Sequence, residues 1–208
     1  MMKKYILFLL FALPILALSQ TSNPKNDRKI IKKFQKELNA EYRNEKKSPL
    51  RGNNFTHFKK HPFFPINLDY KVTAKFVKTE NPQPFDLPTS SGKSKVYREY
   101  GKATFELNGR THTLTLYQSL DLLKNEEYID YLFLPFRDAT NNKETYGGGK
   151  YLDLKIPSGE TIVLDFNVSY HPYCAYNAFD YNCPIVPEEN KLPIEIRAGV
   201  MYKDVYHH

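Results

Sequence analysis

Near the N-terminus, apolar side chains recur at helical spacing: Ile30, Phe34, Leu38 and Tyr42 stand four apart, with Ile31 widening the stripe. The spacing predicts an amphipathic helix from Asn26 or Asp27 to about Glu45. Asn or Asp supplies its N-cap, Lys46-Lys47 suits the negative end of its dipole, and Ser48-Pro49 stops it. Short helices need tertiary packing to persist, so the stripe is expected to dock on the body. An aromatic connector at 50–68, punctuated by Pro62 and Pro65, leads into a different rhythm. Tyr70, Val72, Ala74 and Phe76 alternate with Lys71, Thr73 and Lys75, as a half-buried strand requires. A Pro/Ser/Gly-rich loop is expected at 81–93. Asn108-Gly109 then marks a two-residue hairpin, both residues tolerating positive φ. That register pairs Leu107 with Arg110, Phe105 with His112 and Ala103 with Leu114, and puts Ala103, Phe105, Leu107, His112, Leu114 and Leu116 on one face. Further strands are read at Tyr128–Phe136 (apolar enough to be buried on both sides), Lys150–Ile156 and Thr161–Asn167. Pro157-Ser158-Gly159-Glu160 reads as a hairpin-type connection. After a long loop at 169–191, Leu192, Ile194, Ile196 and Ala198 alternate as a last strand. One helix followed by mostly hairpin-linked strands implies a mainly β fold, an antiparallel barrel or sandwich.

The first nineteen residues change the picture of compartment. Lys3 and Lys4, an apolar run from Tyr5 to Leu16, and Ala17-Leu18-Ser19 compose a secretory signal peptide with cleavage expected between Ser19 and Gln20. Pro14 breaks the apolar run, and no later stretch approaches the roughly 20 residues of a membrane span. The organisation read here is a leader at 1–19, a basic amphipathic helix at 20–47 and a β-rich domain at 48–208, extracytoplasmic after cleavage, either periplasmic or secreted. The formal charge of +7 is unevenly placed: residues 20–62 carry net +8, residues 63–208 net −3. A surplus confined to one helix does not make a nucleic-acid face, which needs basic and aromatic residues arrayed over a folded surface. It leaves an envelope partner for the helix as an option.

Two ordered blocks carry a resemblance. The first is Phe136-Arg137-Asp138-Ala139-Thr140 with Glu144-Thr145-Tyr146-Gly147-Gly148-Gly149-Lys150-Tyr151-Leu152. The second comprises Leu164-Asp165-Phe166-Asn167, Tyr170, Pro172, Cys174-Ala175-Tyr176, Cys183-Pro184, Glu189-Asn190 and Ala198-Gly199. With Ser48-Pro49-Leu50 and Phe64-Pro65-Ile66, they resemble the prokaryotic family catalogued as domain of unknown function 1684 over roughly 40–200. This is a short form, without the extra N-terminal segment of longer members. Lys150 stands where the family usually has Arg, His171 where it has Asn, Val186 where Pro is common and Val200 where Glu is common. The resemblance implies a domain boundary and no activity.

Arg137, Asp138, Glu144, Asp165, Asn167 and His171 flank strands whose ends could converge on one cleft, and Tyr146 and Lys150 join them as ligand-binding candidates. Arg137 paired with Asp138 or Glu144 would simply fasten the long loop, a use favoured over catalysis. Cys174 and Cys183, the only cysteines, read as a disulfide in an oxidising compartment, stabilising by ~2–3 kcal/mol in the chain-entropy model. The rival reading makes them metal ligands with His171 and Asp180, a spacing weak for zinc. The Gly147-Gly148-Gly149-Lys150 run is followed by a strand pattern, which suits glycine-enabled entry to that strand better than a phosphate loop. His112 is expected in the core. Pro62 disfavours a His57/His61 helical metal pair, and His207 and His208 lie at the extreme end. No G-x-S-x-G, H-E-x-x-H or EF-hand motif occurs, so no cofactor or resident metal is expected. The expected role is a secreted, non-catalytic module binding a small polar or amphipathic ligand through the 137–151 and 165–190 loops. The alternative is a metal-independent hydrolase using Glu144, Asp165 or His171 as acid and base.

Overall fold

The structure is a computed structural model and describes residues 23–203, 205 and 206; the expected leader lies outside them. Helix α1 runs from Pro24 to Tyr42. It begins earlier than the apolar spacing suggested, because Asn23 is the cap: its side chain accepts from the backbone N–H groups of Lys25 and Asn26, and Pro24 fills the first helical position. The buried stripe is also rotated. Ile31 and Tyr42 are fully buried, whereas Ile30 is 52% exposed. Asp27 takes the first place in the stripe and pairs with Lys71 at 2.5 Å, so a polar tie as well as apolar contact docks the helix. A short helix, α2, spans Gly52–His57 within the connector.

Seven strands follow: β1 (Lys71–Lys78), β2 (Pro84–Pro88), β3 (Ser94–Leu107), β4 (Arg110–Ser119), β5 (Tyr131–Phe136), β6 (Lys150–Lys155) and β7 (Thr161–Asp165). They form one antiparallel sheet in the order β6-β5-β4-β3-β1-β7, with β2 paired to the first half of β3. The Asn108-Gly109 hairpin has the expected register, with φ of +53° and +69° at its turn residues. Other readings are corrected. The loop at 81–93 contains β2, whose two prolines sit at its ends, where a missing N–H does least harm. β5 starts at Tyr131 because Glu126–Tyr128 forms a 3-10 turn capped by Asn125. The 157–160 connection is no hairpin. It joins β6 and β7, which sit at opposite ends of the strand order.

That connection fixes the shape. Five inter-strand spacings of ~4.8 Å would put the edges of a flat sheet about 24 Å apart. Five connecting residues span roughly 20 Å even when extended. The sheet therefore curls into a half-barrel, and β6 (Leu152) and β7 (Ile162, Leu164) feed one core with Ala103, Phe105, Leu114, Leu116, Leu132, Leu134 and Phe136. The open side is filled by the C-terminal segment. Leu192, Ile196 and Ala198 are buried as the alternation implies, yet they make no strand. The segment is held by single bonds instead, such as Leu192 N–H to the Arg137 carbonyl at 2.8 Å and Ala139 N–H to that of Ile194 at 2.9 Å.

Strand periodicity gives the sheet a second apolar face. Opposite the core, Tyr97, Tyr117, Phe133 and Tyr151 pack with Leu87 and Val186, and with the partly buried Tyr131 and Tyr170. The backbone of Tyr170 pairs with Tyr151 across the β6 edge, donating and accepting at 3.1 and 2.8 Å. This brings the chain after β7 over that face.

Candidate functional site

Most of the polar residues picked from the sequence are structural ties: Asp138, Glu144, Tyr146 and His171 gather around the buried Lys150, whereas Asp165 and Asn167 are tied to one another and to Asn67. Asp138 and Lys150 form an ion pair at 3.1 Å with both side chains wholly buried. The Lys150 ammonium also donates to the carbonyls of Ile196 (2.8 Å) and Ala198 (3.3 Å), while Asp138 accepts from the Thr140 N–H at 2.8 Å. Burial depresses the Lys150 pKa, opposed by Asp138 and Glu144. Loop fastening thus operates with Lys150 as the cation rather than Arg137. Glu144 is gripped by the Arg197 guanidinium, whose Nε lies 3.1 Å from both carboxylate oxygens. Asp165 accepts two bonds from Asn167 (3.0 and 2.9 Å) and is raised in pKa by burial, against those bonds. Asn167 exchanges bonds with the Asn67 backbone at 3.1 and 2.9 Å, a clamp across a hundred positions. Arg137 is half-buried, and its backbone bridges to residues 190–192. Gly149 adopts φ +101°, and a Cβ there would meet the Phe136 carbonyl at 2.6 Å and the Arg137 stem at 3.0 Å. The three glycines admit packing against the loop and open no anion cradle.

His171 is fully buried between Tyr146, whose N–H donates to Nε2 at 3.4 Å, and Tyr176, whose hydroxyl lies 3.3 Å from Nδ1. Burial first, then Lys150 and His61, push its pKa well below the usual histidine value. Asp180 engages Arg51 and Asn177, and among the described residues no three His, Cys, Asp or Glu side chains are grouped to hold a metal ion, so the rival metal set is not assembled. Nor do Glu144, Asp165 and His171 meet, each being committed to a separate partner.

A cavity of about 470 Å³ lies on the second sheet face. Its floor is Tyr97, Tyr131, Phe133 and Tyr151. Tyr170, Tyr173, Tyr181 and Cys183-Pro184 form one wall, and Phe34, Leu38 and Glu41 of α1 form the other. Besides the phenols, its polar side chains are Glu41, Lys95, Asp153 and Asn182. Asp153 accepts from the phenols of Tyr131 (2.6 Å) and Tyr170 (2.8 Å), and Glu41 accepts from Tyr173. Burial pushes the Tyr97 phenol up to about 12, and burial with Asp153 raises those of Tyr131 and Tyr170 further. All remain protonated donors at neutral pH. Cys183 sits at the rim. Both cysteines are free thiols in this structure. The sulfurs adjoin: the Cys174 N–H donates to Cys183 Sγ at 3.2 Å, and the Cys174 thiol donates to the same atom, lowering the Cys183 pKa and raising that of Cys174.

Four of the cavity residues (Tyr151, Tyr170, Cys183 and Pro184) come from the two sequence blocks singled out above. Those blocks match a family model described as "Protein of unknown function (DUF1684)" across residues 56–201. The chain belongs to this family. No curated protein matches it. Among solved structures, it is similar to the solution NMR structure of an uncharacterized protein of Haloarcula marismortui. The two share 28% identity with a TM-score of 0.65, over 88% of this chain and 97% of that one. In this DUF1684 chain, Lys150 and His171 both lie in the packed interior.

The sequence reading missed Phe34, Leu38, Glu41, Tyr131, Asp153 and Tyr173. A signal for some of them was present: β5 is apolar at every position, so its outward set, Tyr131 and Phe133, needed a cover. The helix that supplies the cover is remote in sequence.

Proposed function

We propose that the protein is an exported, non-catalytic binding module whose tyrosine-walled cavity takes a small amphipathic ligand. The observation that carries this is the cavity itself, where family-block residues of the sheet and the Cys183 loop meet α1 around a largely apolar space of about 470 Å³. That size and lining suit a small molecule. Asp153 and Glu41 offer acceptors to a ligand head that donates hydrogen bonds, either hydroxyls or an ammonium, with Lys95 and Asn182 the other polar side chains besides the phenols. Protonated phenols and the dispersal of Glu144, Asp165 and His171 favour binding over acid–base catalysis.

Phenethylamine and phenyl β-D-glucoside are suitable probes, with phenylacetate as the mismatched control. A probe at a hundredfold its Kd stabilises by about 2.7 kcal/mol, which raises Tm by roughly 5–10 °C for a chain of this size. Leu38→Arg, at a half-buried position on the helix wall, should abolish that shift. The reading fails if no donor-headed probe raises Tm, or if Leu38→Arg responds like the parent.

Export is part of the same proposal, resting on the leader pattern. Intact-mass analysis of protein expressed with its full sequence should find an N-terminus at Gln20 and a mass two hydrogens light from a Cys174–Cys183 disulfide. A chain starting at Met1 would contradict export, and two free thiols in exported protein would contradict the bridge.

A further inference from the structure

The tyrosine-walled cavity holds more aromatic surface than an apolar pocket requires, and its rings are set at steep angles to one another. Phe133 and Tyr151 have centroids 4.7 Å apart and planes 80° apart, Tyr151 and Tyr170 stand at 6.1 Å and 84°, and Tyr173 and Tyr181 at 4.9 Å and 74°. Rings so placed form adjoining walls rather than a stack, and each π face carries partial negative charge. A cation against such faces is attracted by the ring quadrupoles, the more so out of water.

The polar ends of these rings are committed to the protein. Tyr131 and Tyr170 donate to Asp153, Tyr173 to Glu41 and Tyr151 to the Pro184 carbonyl. A hydroxyl has one proton to give, so these four phenols offer a ligand ring surface rather than a donor, which disfavours an anionic head. Charge acts in the same direction. The lining carries two carboxylates, Asp153 and Glu41, against one ammonium, Lys95, and is net negative. Burial first, then the carboxylates, raise the phenols of Tyr131, Tyr170 and Tyr173, so the negative field reaches three of the walls.

We infer that the cavity is an aromatic cage for an alkylated ammonium: the methyl-covered cation sits against the ring faces, Asp153 and Glu41 supply the counter-charge, and their remaining lone pairs accept from a hydroxyl or a last N–H of the same molecule. This names the ligand class of the site proposed above and rests on that proposal. The test is calorimetric titration of the purified protein with choline, with 3,3-dimethylbutanol (the same shape and hydroxyl without the charge) and with ethanolamine (the same charge and hydroxyl without the methyls). Choline should bind at least about tenfold more tightly than either. Asp153→Asn, which keeps an oxygen acceptor for the two phenols and removes the charge, should weaken choline about fivefold and leave 3,3-dimethylbutanol unchanged. Equal binding of 3,3-dimethylbutanol would show that charge is not read, and equal binding of ethanolamine that the rings do not select the methyls; either overturns the inference, and both comparisons need only the parent protein. If choline does not bind while phenethylamine or phenyl β-D-glucoside still raises Tm, the cage falls and the binding reading stands; if no probe binds, both fall.

Discussion

Single residues matter here chiefly as buried polar ties. Lys150 is a wholly buried cation ion-paired with Asp138, and breaking such a pair leaves an uncompensated charge in the interior. Lys150→Met is expected to cost about 3–5 kcal/mol in urea unfolding, and Asp138→Asn combined with Lys150→Met to recover much of it. Additive losses would show that the pair is not coupled. Acid sensitivity belongs to this scale too. His171 is buried neutral with its pKa well below the usual value, and His61 is pushed down to about 3 by burial. In the unfolded chain both take up protons below about pH 6.5. Their contribution is therefore full above that pH and is lost as pH falls toward the depressed folded values. Each steepens the decline by up to about 1.4 kcal/mol per pH unit. His171→Asn should make stability between pH 6 and 5 less steep by about one proton; an unchanged slope would mean that His171 is protonated in the folded protein.

At the scale of elements, α1 is a structural wall as much as an appendage. It adds Tyr42 to an apolar cluster with Leu50, Phe58, Ala175 and Tyr176 and borders the tyrosine-walled cavity with Phe34, Leu38 and Glu41. Ile31→Ala, at a fully buried helix position, is expected to destabilise by about 2–4 kcal/mol and to weaken ligand binding in that cavity. Undiminished binding would detach the helix from the site. What the sequence disclosed follows the reach of each signal. Local chemistry was legible: the Asn108-Gly109 turn set its register, and β1, β6 and most of β7 followed apolar alternation. Non-local facts were not. Ile30 and Ile31 are both consistent with a helical stripe, and only the docking partner Lys71, which draws in Asp27, decides the rotation. The 157–160 link looks like a hairpin because turn chemistry alone does not reveal that its two strands sit on opposite edges.

For the whole molecule, curling is the step that makes a site. Closing the half-barrel directs β6 and β7 toward one core and leaves the outer tyrosines to be covered by two remote segments, α1 and the loop after Tyr170. The polar candidates chosen from the sequence were read as ligand groups because their chemistry is versatile. Their burial, visible only in three dimensions, makes them fasteners, and the aromatic residues that sequence logic assigns to cores form the cavity. The most direct test is an NMR titration of ring-labelled tyrosines with phenethylamine and with phenyl β-D-glucoside. With at least one probe, signals of Tyr131, Tyr151 and Tyr170 should shift together and saturably, while Tyr100, packed on Phe76, stays fixed. Shifts absent from those three tyrosines with both probes would contradict the account.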